Sequence, residues 1–300
     1  MTGTLHRDPR WPRAGEWLAD STANLAAAEA AASWGLIGIP AHSTSLSPTR
    51  AHTTPAAVRA ALDRYSTWVE SQGTDLRDLA AADLGDVEEP DGPEGEQRTI
   101  AALQEWRGDL LVALGGDNSI TYAVARGLAA DALVTLDAHH DLRDGVSNGS
   151  PVQRLLADGF DGRRVVQIGI SDFANSQDYA QRARDHGITI IGRDEVEQRG
   201  IEEVMVRAIE IASRGGDGRV HVDLDVDVCD RSVAPACPAS VPGGLTAREL
   251  RRAARVAGRS PQVVGVDLTE VDATADAADQ RTVRLVALCV LETAAGLHLR

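Results

Sequence analysis

The chain contains little cysteine, with three residues in 300. These are Cys229, Cys237 and Cys289, and no two of them form a CxxC pair. A secreted disulfide scaffold uses a dense, even set of cysteines, and a thiolate zinc site uses paired ones, so the pattern argues against both. We therefore expect a protein of the reducing cytoplasm.

Long apolar runs and an excess of positive charge are also missing. No segment approaches the roughly 20 apolar residues that cross a bilayer, and residues 1–19 lack the apolar core of a signal peptide. We expect no membrane association and a flexible N-terminal segment over residues 1–20. The formal net charge of −15 opposes nucleic-acid binding, because association with phosphates requires basic patches.

The sequence does have enough apolar residues, 43% of the chain, to form a large core. Its short apolar runs predict strands at Leu36–Ile39, Leu110–Leu114, Ala132–Leu136, Val165–Ile170, Ile188–Ile191, Val220–Leu224 and Val263–Leu268. Helical segments separate most of them, as in parallel sheets whose crossover helices cover both faces. The pattern predicts a single α/β domain over residues 1–300, a three-layer α/β/α sandwich with a central, mostly parallel sheet.

Helix boundaries follow from capping residues and composition. The predicted helices are Leu25–Ala32, Pro55–Tyr65 with Thr54 as its cap, Thr246–Val256 with a capping box, and Thr282–Ala295. The segment Gly85–Gly95 is rich in Asp, Glu, Pro and Gly, and it is predicted to be an exposed loop.

Two acidic clusters follow predicted strands. Asp137, His139 and Asp141 form the first, and Asp225 and Asp227 form the second. If the alternation of a strand persists, each cluster points its side chains to one side. Four carboxylates and one imidazole suit Mn²⁺ or a related oxygen-loving divalent ion better than a thiolate-bound zinc.

A third polar segment, Gly115-Gly-Asp-Asn-Ser119, also follows a predicted strand. Together with Asp137-Ala-His-His-Asp141 and with Asp225-Val-Asp-Val-Cys-Asp230 before Gly243-Gly-Leu245, it resembles the three signatures of the ureohydrolase family of arginases, agmatinases and formiminoglutamases. The resemblance extends from about Gly115 to Glu270 and implies an arginase-like fold.

The resemblance also implies a metal centre and a chemistry. Family members hold two Mn²⁺ ions and attack an amidine or guanidine carbon with a bridging hydroxide. By this likeness Asp137 and Asp225 would bridge the ions, while His139 and Asp227 complete one and Asp141 serves the other. Glu270 falls where the family places a carboxylate that pairs with the cationic nitrogen group of the substrate, so Glu270 and Asp141 are the candidate catalytic residues.

Two departures from the family pattern leave the metal content open. Asn118 and Asn148 stand where the family uses histidine. An amide oxygen can bind a hard cation, but it is a weaker donor than imidazole toward Mn²⁺. Three outcomes follow: two ions with Asn118 as a ligand, one ion held by the intact ligands, or a degenerate site without turnover.

The choice of substrate depends mainly on Arg143. Its guanidinium can clamp a carboxylate in a bidentate fashion, unless it pairs with Asp144 or Asp141 at the surface. Residues 143–151 are similar to bacterial formiminoglutamase relatives, which favours N-formimino-L-glutamate, cleaved to glutamate and formamide. Guanidino acids, agmatine or arginine, with release of urea, are the alternative, and a non-catalytic family member is a further one. Residues Ser147, Asn148 and Ser150 are candidate substrate contacts.

Two further histidines have weaker assignments. His140 should lie on the strand face opposite to His139, which predicts a structural or solvent-facing role. His42 is considered as a replacement proton carrier for Asn148, although a surface loop position is the simpler interpretation. The family resemblance implies a homo-oligomer, a trimer or a hexamer.

Overall fold

The computed structural model describes residues 8–300. In this part of the chain the strands are β1 (Trp34–Ile39), β2 (Trp68–Val69), β3 (Thr74–Asp75), β4 (Ala81–Asp86), β5 (Leu110–Gly115), β6 (Ala132–Leu136), β7 (Val165–Ile170), β8 (Thr189–Gly192), β9 (Val220–Asp225) and β10 (Val263–Thr269). The helices are α1 (Ala14–Ala28), α2 (Thr54–Leu62), α3 (Gly92–Gln104), α4 (Ile120–Gly127), α5 (Pro151–Ala157), α6 (Gln177–Asp185), α7 (Arg193–Arg199), α8 (Ile201–Ser213), α9 (Ala247–Arg259) and α10 (Arg281–Leu297).

The main sheet is parallel throughout. Within residues 8–300 it has eight strands in the order β4-β1-β5-β10-β9-β6-β7-β8. In β5, Leu110 and Val112 belong to one buried apolar cluster and Leu111 to another. Successive side chains thus meet helices on opposite faces, because a strand alternates its faces. The predicted α/β/α sandwich is confirmed.

The N-terminal part differs from the prediction. Helix α1 begins at Ala14 and ends at Ala28, where Glu29 adopts a left-handed conformation, so the helix predicted over residues 25–32 was misplaced. Trp17 and Leu18 are buried, which means that the later part of the segment expected to be flexible is packed. Residues 1–7 of that segment lie outside the described residues.

Two more local predictions need correction. The loop predicted over residues 85–95 is shorter, because β4 continues to Asp86 and α3 begins at Gly92. Edge strand β4 was missed because it is largely solvent-accessible and lacks an apolar run. Thr54 lies inside α2, and its hydroxyl donates to the carbonyl of Val271 at 2.5 Å instead of capping the helix. The capping box predicted for α9 at Thr246 is confirmed.

Within the described residues, no helix combines the length and apolar character needed to span a lipid bilayer.

Helices α9 and α10 pack closely at two glycines. A Cβ added to Gly296 would overlap the carbonyl oxygen of Arg255, and one added to Gly258 would overlap that of Thr293. Neither glycine has a positive φ, so the close approach of the two helices is what requires the absence of a side chain.

We predict that Gly296→Ala lowers the free energy of unfolding by roughly 1–3 kcal/mol, because the added methyl group forces α9 and α10 apart. Thermal or denaturant unfolding measures the change. Arg259→Ala, at an exposed position in α9, is the control and should stay within about 0.5 kcal/mol of the wild type. A Gly296→Ala protein as stable as this control would contradict the packing argument.

Candidate metal centre and active site

Four neighbouring strands deliver the predicted site residues to one edge of the sheet. In sheet order they are β5, β10, β9 and β6. Asn118 follows β5, Glu270 follows β10, Asp225 ends β9 and Asp137 follows β6. All of these are carboxyl ends, where ligands of parallel α/β sheets gather.

The same type of local turn occurs in both acidic clusters. The Asp137 carboxylate accepts a hydrogen bond from the backbone N–H of His139 at 2.7 Å, and the Asp225 carboxylate accepts one from Asp227 at 2.8 Å. Asp141 has a φ of 51°, so the chain has left the strand conformation there. The side chains therefore converge because of these turns, and the expected alternation of a continuing strand was wrong.

The clusters form two groups of possible ligands that share Asp137. The first group is Asp137, His139 and Asp227, and the second is Asp137, Asp141 and Asp225. Within each group the ligand atoms lie within 4.8 Å of one another. The five residues predicted from the sequence do lie together, and the geometry divides them into two adjacent groups.

The pKa values of these groups are shifted by burial and by the neighbouring charges. Burial, reinforced by the charge of Asp227, raises the pKa of Asp137 to about 6. Burial and neighbouring carboxylates likewise raise the pKa values of Asp141 and Asp225 well above the ordinary range. Burial alone would lower the pKa of His139, but its bonds to Asp137 and Asp227 raise it to about 12.

The donor set fits divalent cations. Four buried carboxylates face one imidazole, so full ionisation leaves negative charge that His139 alone cannot neutralise. Burying uncompensated charge is costly, and cations that carry two charges each would balance it. Oxygen donors with one imidazole are typical of Mn²⁺ or a similar hard ion.

Asn118 is placed differently from the prediction. Its side-chain nitrogen donates to Asp141 at 2.7 Å, while its oxygen accepts from the hydroxyls of Thr121 at 2.8 Å and Thr269 at 2.9 Å. The amide oxygen that was expected to bind metal is thus directed into two hydroxyl groups. In this arrangement Asn118 orients the Asp141 carboxylate.

Glu270 is held at the site by two amide groups. Its Oε1 accepts from the backbone N–H of Asn118 at 2.7 Å and from the side chain of Asn148 at 2.8 Å. Burial raises the pKa of Glu270 to about 8 despite these bonds. Its φ of 64° is unusual for a residue with a side chain, and such strain concentrates at functional sites.

A cavity of about 360 Å³ opens over these residues. Asp225, Asp227 and Glu270 line it, and so do Arg143 and Asn148. The geometry thus brings the carboxylate cluster and the candidate carboxylate clamp into one cavity.

Arg143 is exposed and lies 5.9 Å from the centre of the Tyr179 ring. The two acidic partners considered for it are occupied elsewhere, since Asp144 pairs with Arg182 at 2.7 Å and Asp141 accepts from Asn118. No carboxylate among residues 8–300 forms an ion pair with the Arg143 guanidinium. This cation is available to a ligand in the cavity.

Ser147 and Ser150 are not brought to the cavity. The Ser150 hydroxyl accepts from the backbone N–H of Ser147 and donates to the carbonyl of Ser147, both at 2.8 Å. Both residues are buried, and their bonds shape the loop that carries Asn148. Their predicted contact with substrate does not agree with this placement.

His42, which was considered as a proton carrier, has other partners. The ring of His42 lies 3.1 Å from Asp91 and in tilted contact with that of His52, and His42 is not among the residues that line the cavity. Burial raises the pKa of the Cys229 thiol, which suits a packing role and not a nucleophile. Asp267, within the sheet, lies 3.0 Å from the Nε2 of His221.

Several residues that line the cavity were not identified from the sequence as contacts. Leu46, Asn175 and Tyr179 belong to the loops after β1 and β7 and to helix α6. The rule that ligands gather after the carboxyl ends of parallel strands could have identified the two loop residues.

His140 also lines the cavity with 3% of its surface exposed, so the solvent-facing role considered for it was wrong. Burial lowers its pKa.

A parallel α/β/α sandwich with paired carboxylate sites at the strand ends defines a candidate divalent-metal enzyme. Residues 32–296 match the model of the arginase family. The chain belongs to the arginase family, which confirms the resemblance noted in the sequence.

Among curated relatives, the chain is similar to a formimidoylglutamase of Bacillus subtilis, with 33% identity over 88% of this chain and 87% of the relative. A formimidoylglutamase of Halalkalibacterium halodurans is 34% identical, with 81% of each protein covered. The crystal structure of the B. subtilis formimidoylglutamase superposes with a TM-score of 0.87 at 28% identity, over 100% of this chain and 96% of that one. A Trypanosoma cruzi formiminoglutamase with Mn²⁺, 23% identical with a TM-score of 0.85 over 97% of this chain and 99% of that one, shares the fold.

We predict that the stability of the metal-free protein falls as the pH rises from about 4 to about 8. The raised pKa values of Asp137, about 6, and Glu270, about 8, mean that the folded state binds more protons than the unfolded chain over this range. Manganese should remove this dependence, because the ions take the place of the protons. Thermal unfolding with chelator and with manganese, at roughly pH 5 and pH 8, measures the effect.

Two variants make this test specific. Saturating manganese should raise the melting temperature of the wild type by roughly 5 °C. Asp225→Asn removes a proposed ligand, so this variant should lose most of that increase. Asp279→Asn changes an exposed carboxylate and should keep the whole gain. Equal manganese stabilisation of both variants would contradict the assignment of the site.

Proposed function

We propose that the protein hydrolyses N-formimino-L-glutamate to glutamate and formamide in a divalent-metal site. The observation that carries this proposal is that Arg143, which forms no ion pair within residues 8–300, lies in the same cavity as the carboxylate cluster and Glu270. A cation for an acid group and a carboxylate for an amidinium group match the two ends of such a substrate. The similarity to two bacterial formimidoylglutamases supports the same substrate.

Two manganese ions are the proposed cofactors. One would be held by Asp137, His139 and Asp227, and the other by Asp137, Asp141 and Asp225. This grouping supports a pair of ions without Asn118 as a ligand. When bound, such ions supply Lewis acidity, which lowers the pKa of water and so provides a nucleophile near neutral pH.

The protein residues supply positioning and proton control. Glu270 is proposed to accept hydrogen bonds from the cationic amidinium through Oε2, because Oε1 is already engaged by Asn118 and Asn148. Asn148 cannot titrate, so its role is to fix Glu270. Asp141 has one oxygen committed to Asn118 and the other free for a cation or for a proton of the attacking water. When the bond between the amidine carbon and the glutamate nitrogen breaks, that nitrogen would take up the proton lost by the attacking water, which leaves formamide and glutamate.

Cellular location and assembly are proposed on more general grounds. Three free, buried cysteines suit a reducing cytoplasm. The family resemblance supports a homotrimer or a homohexamer, and light scattering on the purified protein would measure the assembly.

The substrate assignment predicts that manganese-loaded enzyme converts N-formimino-L-glutamate to formamide and glutamate in equal amounts. Arginine, agmatine, guanidinobutyrate and guanidinopropionate serve as comparison substrates, with urea and ammonia measured alongside formamide. Because the proposed nucleophile depends on the metal, chelator should abolish turnover. Faster release of urea from a guanidine substrate would assign the alternative function, and a metal-loaded protein inactive on all five would support a non-catalytic role.

Arg143→Ala should raise KM for N-formimino-L-glutamate by roughly 10- to 100-fold, the effect of losing a charged hydrogen-bonded pair. Any residual turnover of agmatine should change little, because agmatine has no carboxylate. Steady-state kinetics measure both effects. Arg184→Ala, at an exposed position in α6, is the matched control. An equal loss with both variants, or none with Arg143→Ala, would show that Arg143 does not bind the carboxylate.

A further inference from the structure

His140 has a set of contacts that the metal centre does not explain. Its ring Nδ1 lies 2.7 Å from Oε1 of Gln167, and the side-chain nitrogen of Gln167 donates to the backbone carbonyl of His140 at 2.9 Å. Gln167 lies in β7 and is completely buried. Both the oxygen and the nitrogen of the buried Gln167 amide therefore form hydrogen bonds with His140.

The backbone of His140 is held from a second side. Asn175 accepts from the backbone N–H of His140 at 2.9 Å, and its own side-chain nitrogen donates to the carbonyl of Ala138 at 2.9 Å. The position and orientation of the imidazole are thus fixed by two amide side chains. Such support is typical of a side chain that must meet a ligand in one geometry.

The bonds to Gln167 also fix the tautomer. Since the nitrogen of Gln167 donates to a carbonyl, its oxygen must accept, and the hydrogen of the neutral imidazole lies on Nδ1. The other ring nitrogen, Nε2, then presents a lone pair, and within residues 8–300 the only hydrogen bond of this imidazole is the one through Nδ1. His140 lines the cavity although 97% of its surface is buried, so Nε2 is the ring nitrogen left for a ligand.

We propose that Nε2 of His140 accepts a hydrogen bond from an N–H group of the bound substrate, at its amidine head. This inference rests on the proposed amidine hydrolysis and adds a substrate contact to it. An amidinium offers N–H donors and no acceptor, which complements a nitrogen lone pair. A carboxylate would be repelled there, so His140 and Arg143 select opposite ends of the substrate.

Two substitutions separate this contact from structural support. In His140→Asn the side-chain amide stands near the position of Nδ1, where it can still bond Gln167, but nothing replaces Nε2. In His140→Gln a carbonyl oxygen reaches the position of Nε2, and the bond to Gln167 is lost. We expect His140→Asn to lower kcat/KM about 10-fold or more, mainly through a higher KM, and His140→Gln to recover part of this loss.

The assay uses whichever amidine or guanidine substrate the wild type turns over, because both classes carry the same N–H donors. Inactivity toward N-formimino-L-glutamate alone would thus count against the proposed function and leave the contact testable, while a wild type inactive on every substrate would overturn both. Manganese content, measured by elemental analysis, should equal that of the wild type in both variants. Wild-type kinetics in His140→Asn, equal losses in the two variants, or loss of manganese from His140→Asn would each overturn the proposal.

Discussion

Mutual repulsion of buried carboxylates is the constraint on which the rest of this structure depends. Asp137, Asp141, Asp225 and Asp227 lie together at the sheet edge with a single imidazole among them. Without cations, the folded chain must retain protons within this cluster, and the raised pKa values of Asp137, Asp141 and Asp225 express that cost. The parallel sheet makes the cluster possible, because β6 and β9 are neighbours and end at the same edge. Their aligned carboxyl ends bring together residues separated by almost 90 positions.

Two neutral amides, Asn118 and Asn148, position carboxylates at this site. Asn118 orients Asp141 through its nitrogen, and Asn148 holds Glu270 in the same way. A neutral amide donates a hydrogen bond without adding a charge that titrates near neutral pH. Each amide therefore positions a carboxylate through a donor that does not titrate. Arg143, which forms no ion pair within residues 8–300, adds a positive charge to the same cavity.

Much of the fold and of the metal centre could be predicted from the sequence, for two physical reasons. Buried parallel strands need apolar residues on both faces, so runs such as Leu110–Leu114 and Ala132–Leu136 stand out. Strand β4 escaped the same test because it lies at the solvated edge of the sheet. Asp137 and Asp225 were placed together correctly, although for the wrong local reason. Their side chains point inward because each carboxylate accepts a backbone N–H two residues ahead, a turn that the alternation argument ignored.

The sequence by itself determined the sandwich architecture, the family and the acidic residues of the centre, since apolar periodicity and short motifs are local properties of a chain. Tertiary structure alone decided how those residues are used. It divided the candidate ligands into two groups around Asp137, turned the oxygen of Asn118 toward Thr121 and Thr269, and placed His140 at the cavity wall. Apart from the local bond between Asn118 and Thr121, these outcomes depend on contacts between residues that lie in or follow different strands. Only the packed sheet sets the distances and directions of those contacts.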